Sequence, residues 1–147
     1  MNEDHPILII EDSDEDFEVT CWALRQAGFT RPITRAVRAE DALLHLCPMP
    51  PRPDWTSKLP CLVLLDLNLP GINGLQFLQE LRQAGHPPSI PVVILSTSKN
   101  PRDIADCYRL GAAGYFCKPM SLQLYIEKMR RLIQYWFESV TLAESDG

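Results

Sequence analysis

The chain has 147 residues, 46% of them apolar and 22% charged, with a formal net charge of −5. That is the length of one domain with a real core, and its acidity argues against a nucleic-acid groove, which needs clustered Lys and Arg. No apolar run reaches membrane-spanning length and no basic, then apolar, leader opens the chain, so a cytoplasmic protein is expected. Five scattered cysteines without a C-x-x-C pair, and three isolated histidines, speak against a zinc site or a disulfide framework.

The opening His5–Asp12 is an apolar run ending in two acids, Glu11 and Asp12. Ser13-Asp14-Glu15-Asp16 suits a helix N-terminus, and the helix it starts carries Phe17, Cys21 and Leu24 inward, with Trp22 at the margin of that face. Ala27-Gly28 closes it. Ile33–Val37 reads as a short strand near a sheet edge, and Glu40–Leu46 as a helix turning Ala42, Leu43 and Leu46 inward. Residues 48–60 hold five prolines, which excludes helix and sheet interior and predicts an exposed loop.

Cys61–Leu67 is the centre of the chain. Five apolar residues run without alternation into Asp66, and Pro70-Gly71 breaks the chain soon after. Such a run suits a strand buried on both faces, with Asp66 at its carboxyl end, where open α/β sheets place their ligands. The segment 72–84 predicts a helix with Leu75, Leu78 and Leu81 on one face. Ile90–Ser96 is another buried strand, Asn100-Pro101 opens a helix through Leu110, and Gly114–Lys118 is a last strand before Pro119. Ser121 caps a final helix expected to run to about Val140.

Strand and helix alternate five times, which dictates a doubly wound parallel sheet, (βα)5, with helices on both faces. All the strand tips then share one edge and bring together Glu11, Asp12, Asp66, Ser96 and Lys118. One polar residue at a strand end merely opens a turn; five that converge make a site. Three carboxylates in one cleft repel, and a hard divalent cation such as Mg²⁺ resolves this while leaving room for a phosphate oxygen. Ser96 can donate to one phosphoryl oxygen and Lys118 can neutralise another. Asp66, central among them, is the candidate nucleophile, forming an acyl phosphate.

Glu11-Asp12, Asp66 followed by Pro70-Gly71, Ser96 and Lys118-Pro119 together resemble the signature of the receiver domain of two-component response regulators. The resemblance covers residues 6–138 of a single domain, 1–147, with the loop 48–60 and a tail 139–147 added. It implies the strand order 2-1-3-4-5. It implies that Asp66 accepts a phosphoryl group from a sensor histidine kinase, and that Mg²⁺ is held by Asp12, Asp66 and the Asn68 carbonyl, with Glu11 helping through water. Ser96 and Tyr115 take the places of the switch hydroxyl and the switch aromatic, and Asn68 and Ser98 those that tune hydrolysis of the acyl phosphate. The output is expected to be an altered contact with an unknown downstream protein, without enzymatic turnover. A phosphorelay intermediate, an aspartyl-phosphate phosphohydrolase and a phosphate-independent scaffold are the competing readings. Leu67 and Asn68 after Asp66 supply no second carboxylate for the phosphohydrolase.

The last helix, at about 1.5 Å per residue, outruns a five-residue strand, so its far end is expected to overhang the sheet. Trp136, Phe137 and Leu142 would then lack a core beneath them and form a homodimer interface. This ending and the long loop are similar to those of the small receivers that partner bacterial and cyanobacterial phytochromes, which implies a phytochrome kinase as partner.

Overall fold

The computed structural model describes residues 5–48, 59–84 and 90–139. Five strands, β1 (Ile7–Ile10), β2 (Ile33–Ala36), β3 (Leu62–Asp66), β4 (Val92–Ser96) and β5 (Gly114–Cys117), form one parallel sheet in the order β2-β1-β3-β4-β5. Five helices alternate with them: α1 (Asp14–Gln26), α2 (Ala39–Leu46), α3 (Gly74–Gln83), α4 (Pro101–Arg109) and α5 (Leu122–Ile133). The topology is the one expected.

Side chains alternate across a strand, so the unbroken apolar runs feed two cores at once. Leu8, Ile10, Val63, Leu65, Val92 and Ile94 pack on the side of α2, α3 and α4. Ile7, Ile9, Leu62, Leu64, Val93 and Leu95 pack on the side of α1 and α5. The three middle strands are thus buried on both faces, whereas β2, at the edge, keeps Thr34 exposed. Among the described residues no helix is long and apolar enough to cross a membrane.

Several expectations need correction. Trp22 is exposed, because Thr20, Ala23 and Leu24 form the buried face of α1. The third helix starts at Gly74, two residues later than expected, under a reciprocal cap between Asn73 and Gln76. Its deepest side chain is Phe77, a residue outside the predicted leucine stripe, and Leu75 is only half-buried. The proline-rich loop is not exposed at its described ends: Pro48, Leu59 and Pro60 are buried, and Leu59 belongs to the core. Residues 49–58 lie outside the described residues.

The overhang of the last helix is the largest departure. The regular helix ends at Ile133 and widens into a π-helical turn over Gln134–Ser139. Phe137 lies on Phe29, ring centroids 5.5 Å apart, and the Arg31 guanidinium stands 4.8 Å from its centroid. Trp136 and Phe137 are half-buried against the α1/α5 core. The segment after α1, carrying buried Phe29, extends the core past the strand ends and gives the end of the last helix apolar ground that strand length does not register. Val140 and Leu142 lie outside the described residues.

Candidate functional site

Glu11 follows β1 directly and is buried; Asp12, next to it, is exposed; Asp66 ends β3 and is half-buried. Carboxylate oxygens of the three lie within 4.8 Å of one another. The Ser13 N–H donates to Glu11 Oε2 at 3.3 Å, and the Asn68 N–H to Asp66 Oδ1 at 3.0 Å. Lys118, just past β5, sets its Nζ 3.3 Å from Glu11 Oε1 and 3.8 Å from Asp66 Oδ2.

The turn after β1 and the end of β3 are held from behind. Arg35, on the edge strand, donates from Nε to the Glu11 carbonyl at 3.0 Å and from Nη1 to Asp14 Oδ1 at 2.6 Å. Its guanidinium lies 4.8 Å from the centroid of the Phe17 ring. Nothing in the periodicity of β2 marks Arg35 for this task, since an arginine on an edge strand ordinarily reaches solvent. On the other flank, Gly74 brings α3 hard against the end of β3. A Cβ there would stand 2.9 Å from Leu67 Cα and 3.0 Å from the Asp66 carbonyl oxygen.

The electrostatics follow from the packing. Burial pushes the Glu11 carboxyl up to about 7, with the Lys118 charge opposing and the Asp66 charge adding to the rise. For Lys118, burial works against the ammonium, but Asp66 and Glu11 outweigh it and the pKa lies above the ordinary lysine value. Burial also raises the thiols of Cys21, Cys47, Cys61 and Cys107, the last to about 11, so these thiols are protonated at neutral pH.

Ser96 ends β4 and is buried, and its carbonyl accepts the Lys118 N–H at 2.7 Å. Tyr115 is half-buried, packs on the core facing α2–α4, and donates its hydroxyl to the Ser98 carbonyl at 2.8 Å. A cleft of about 480 Å³ opens beside the acids between Asp12, Asn68, Pro70, Asn73 and Asp103. Trp136 and Phe137 are not part of this assembly, since α5 starts after β5 at the carboxyl edge and runs away from it.

Three hard oxygen donors this close fit a divalent cation. Residues 7–130 match the model of the response regulator receiver domain. The chain belongs to the response regulator receiver family. The receiver family implies a sensor histidine kinase as partner. The chain is 31% identical over 137 residues to the response regulator Rcp1 of Synechocystis sp., covering 92% of this chain and 91% of Rcp1. The Mn²⁺-bound structure of Rcp1 superposes with a TM-score of 0.79 at 29% identity, covering 95% of this chain and 99% of that one. The phosphorylated cyanobacterial phytochrome response regulator RcpA does so with a TM-score of 0.82 at 28% identity, over the same shares of the two chains. Against the longer transcriptional regulator SphR of Synechococcus elongatus the match is 30% identical over 87% of this chain but spans only 48% of the relative.

Proposed function

We propose that Asp66 accepts a phosphoryl group from a phosphohistidine of a sensor kinase, and that the chain signals through the contacts this changes. The observation that carries this reading is the placement of Asp66. Its Oδ2 lies 3.8 Å from the Lys118 ammonium, at the mouth of a buried strand, with two further carboxylates alongside. In the transfer, the phosphorus–nitrogen bond of the donor breaks as a phosphorus–oxygen bond forms at the Asp66 carboxylate. The histidine leaves with the electron pair of the broken bond. Such a transfer needs mainly in-line positioning and neutralisation of charge on the phosphoryl oxygens. Lys118 supplies a fixed positive charge on one side, and the Ser96 hydroxyl is a donor for a second oxygen. The Asn68 N–H holds Asp66 Oδ1, which leaves Oδ2 to attack.

Glu11, Asp12, Asp66 and the Asn68 carbonyl would hold Mg²⁺. That ion, when bound, neutralises the acids and screens the charge of the incoming phosphoryl group. Binding of Mn²⁺ by the relative Rcp1 supports the assignment. A phytochrome kinase is the proposed donor, on the likeness to the phytochrome response regulator RcpA. A homodimer through the last helix and tail belongs to the same reading. Tyr135, half-exposed and 5.0 Å from the Trp136 ring, supports an interface there, although Phe137 is engaged within its own chain.

The test is transfer of radiolabelled phosphoryl from a phosphorylated histidine kinase in Mg²⁺. The label should be alkali-labile, as an acyl phosphate is, and should map to Asp66. A label that survives Asp66→Asn would overturn the assignment.

A further inference from the structure

Ser98 stands two residues past the end of β4, and each of its polar atoms is engaged. Its N–H donates to Ser96 Oγ at 3.1 Å, and its carbonyl accepts the Tyr115 hydroxyl at 2.8 Å and the Cys117 thiol at 3.7 Å. Its own Oγ accepts the Asn100 N–H at 3.2 Å and donates to Asp103 Oδ2 at 2.6 Å. One residue therefore joins the buried Ser96 hydroxyl at the end of β4 to the aromatic ring on β5. The short bond to Asp103 is the one charged contact among these, and charge-assisted bonds of this length are the strong ones.

The direction of the bond to Ser96 matters. A hydroxyl that accepts from the Ser98 N–H keeps its own proton free, so Ser96 is set to donate toward a phosphoryl oxygen instead of satisfying the loop. The orientation of the Ser98 peptide decides this, and Asp103 fixes it from the first turn of α4. Asp103 also lines the cleft shared by Asp12 and Asn68, so movement of α4 and the state of the acidic site meet at this carboxylate.

We propose that Asp103 is a positioning residue for phosphoryl acceptance, acting through Ser98 to hold Ser96 as a donor and Tyr115 in its bonded place. The proposal rests on the reading of Asp66 as phosphoacceptor. Asp103 touches neither substrate nor metal; it sets the loop that does. A serine-to-aspartate pair within one β4–α4 turn couples the two switch residues before any phosphoryl group arrives.

The experiment uses the full chain labelled with 3-fluorotyrosine, the Tyr115 resonance being assigned by Tyr115→Phe. In Asp103→Ala the ¹⁹F resonance of Tyr115 in the metal-free protein should move toward that of an exposed tyrosine. Half-saturation by beryllofluoride in Mg²⁺ should rise about tenfold, with Mn²⁺ affinity alone changed less than twofold. Asp103→Asn, whose amide oxygen still accepts from Ser98 Oγ, should recover both readouts to within about threefold. A wild-type Tyr115 resonance and wild-type beryllofluoride affinity in Asp103→Ala would overturn the proposal. So would equal impairment of the Ala and Asn variants, which would leave Asp103 a merely structural residue. Beryllofluoride failing to bind the unmutated chain would instead overturn the reading of Asp66, and the Tyr115 resonance of the metal-free variants would still judge Asp103.

Discussion

The Lys118 ammonium lies closer to Glu11 than to Asp66, 3.3 Å against 3.8 Å. In this state the lysine is the partner of a buried acid as much as a neighbour of the candidate nucleophile, so one side chain carries both a structural and a chemical load.

Removing that lysine should expose both. Lys118→Met leaves Glu11 buried without its counter-charge, at a cost of about 3 kcal/mol. The loss should be larger at pH 8 than at pH 6, because at the lower pH Glu11 takes up a proton. Denaturant melts at the two pH values check this. Equal losses would mean that Glu11 is not held by Lys118. Phosphoryl labelling of Asp66 should be slowed but detectable, and uncoupled from any change at Tyr115.

The metal-free protein should lose stability as pH rises through the window from about 4.5 to about 7. The sign follows from Glu11. Its folded-state value, about 7, lies above its ordinary value of 4.5, so the folded chain binds the proton more tightly and rising pH favours unfolding. The effect is on the order of 1–3 kcal/mol. Glu11→Gln should flatten this part of the profile in thermal melts; an unchanged slope would assign it to another group.

Gly74→Ala should act on the site from outside it. The added methyl meets backbone of Leu67 and Asp66, which cannot swing aside as a side chain would. A stability loss of about 1–3 kcal/mol is expected, with weaker Mn²⁺ binding as the end of β3 shifts. Mn²⁺ titration followed by electron paramagnetic resonance measures the second effect, and an unchanged affinity would show that α3 is displaced instead of Asp66.

Phe137→Ala and Trp136→Ala should separate packing from assembly. Phe137→Ala removes the contacts with Phe29 and Arg31 and should cost about 1–2 kcal/mol in a melt. Trp136→Ala should lower the molar mass measured by light scattering if the last helix pairs two copies. Constant mass in that variant removes Trp136 from the interface.

The strand tips and their acids were legible from the sequence because a doubly buried strand has so little freedom. Residues 62–65 must be apolar on both faces, which makes Asp66, the first polar residue after them, conspicuous. Glu11, Asp12, Ser96 and Lys118 stand out for the same reason. What resisted reading was every contact made across elements by a residue of ordinary local character. Arg35 looks like an edge-strand arginine, and Asp103 like an acid in a first helical turn. Thr20 looks like a surface threonine, yet it is buried against the Tyr125 hydroxyl at 2.8 Å. The seat of the last helix was not legible because the core includes Phe29 beyond the strand ends, which helix and strand lengths do not register.

Arg35 ties the acid-bearing turn to an edge strand of the sheet. β2 is hydrogen-bonded on one side only, over four residues, and an edge strand is where local opening begins. Each time β2 frays, the Glu11 carbonyl and Asp14 lose their anchor, and the turn that carries Asp12 loosens with them. Occupancy of the acidic cleft should therefore bear on closure of the sheet margin. A divalent cation bound at Asp12 should slow amide exchange at Thr34 and Arg35, residues that do not belong to the cluster, and the edge strand becomes a gauge of whether the site is filled.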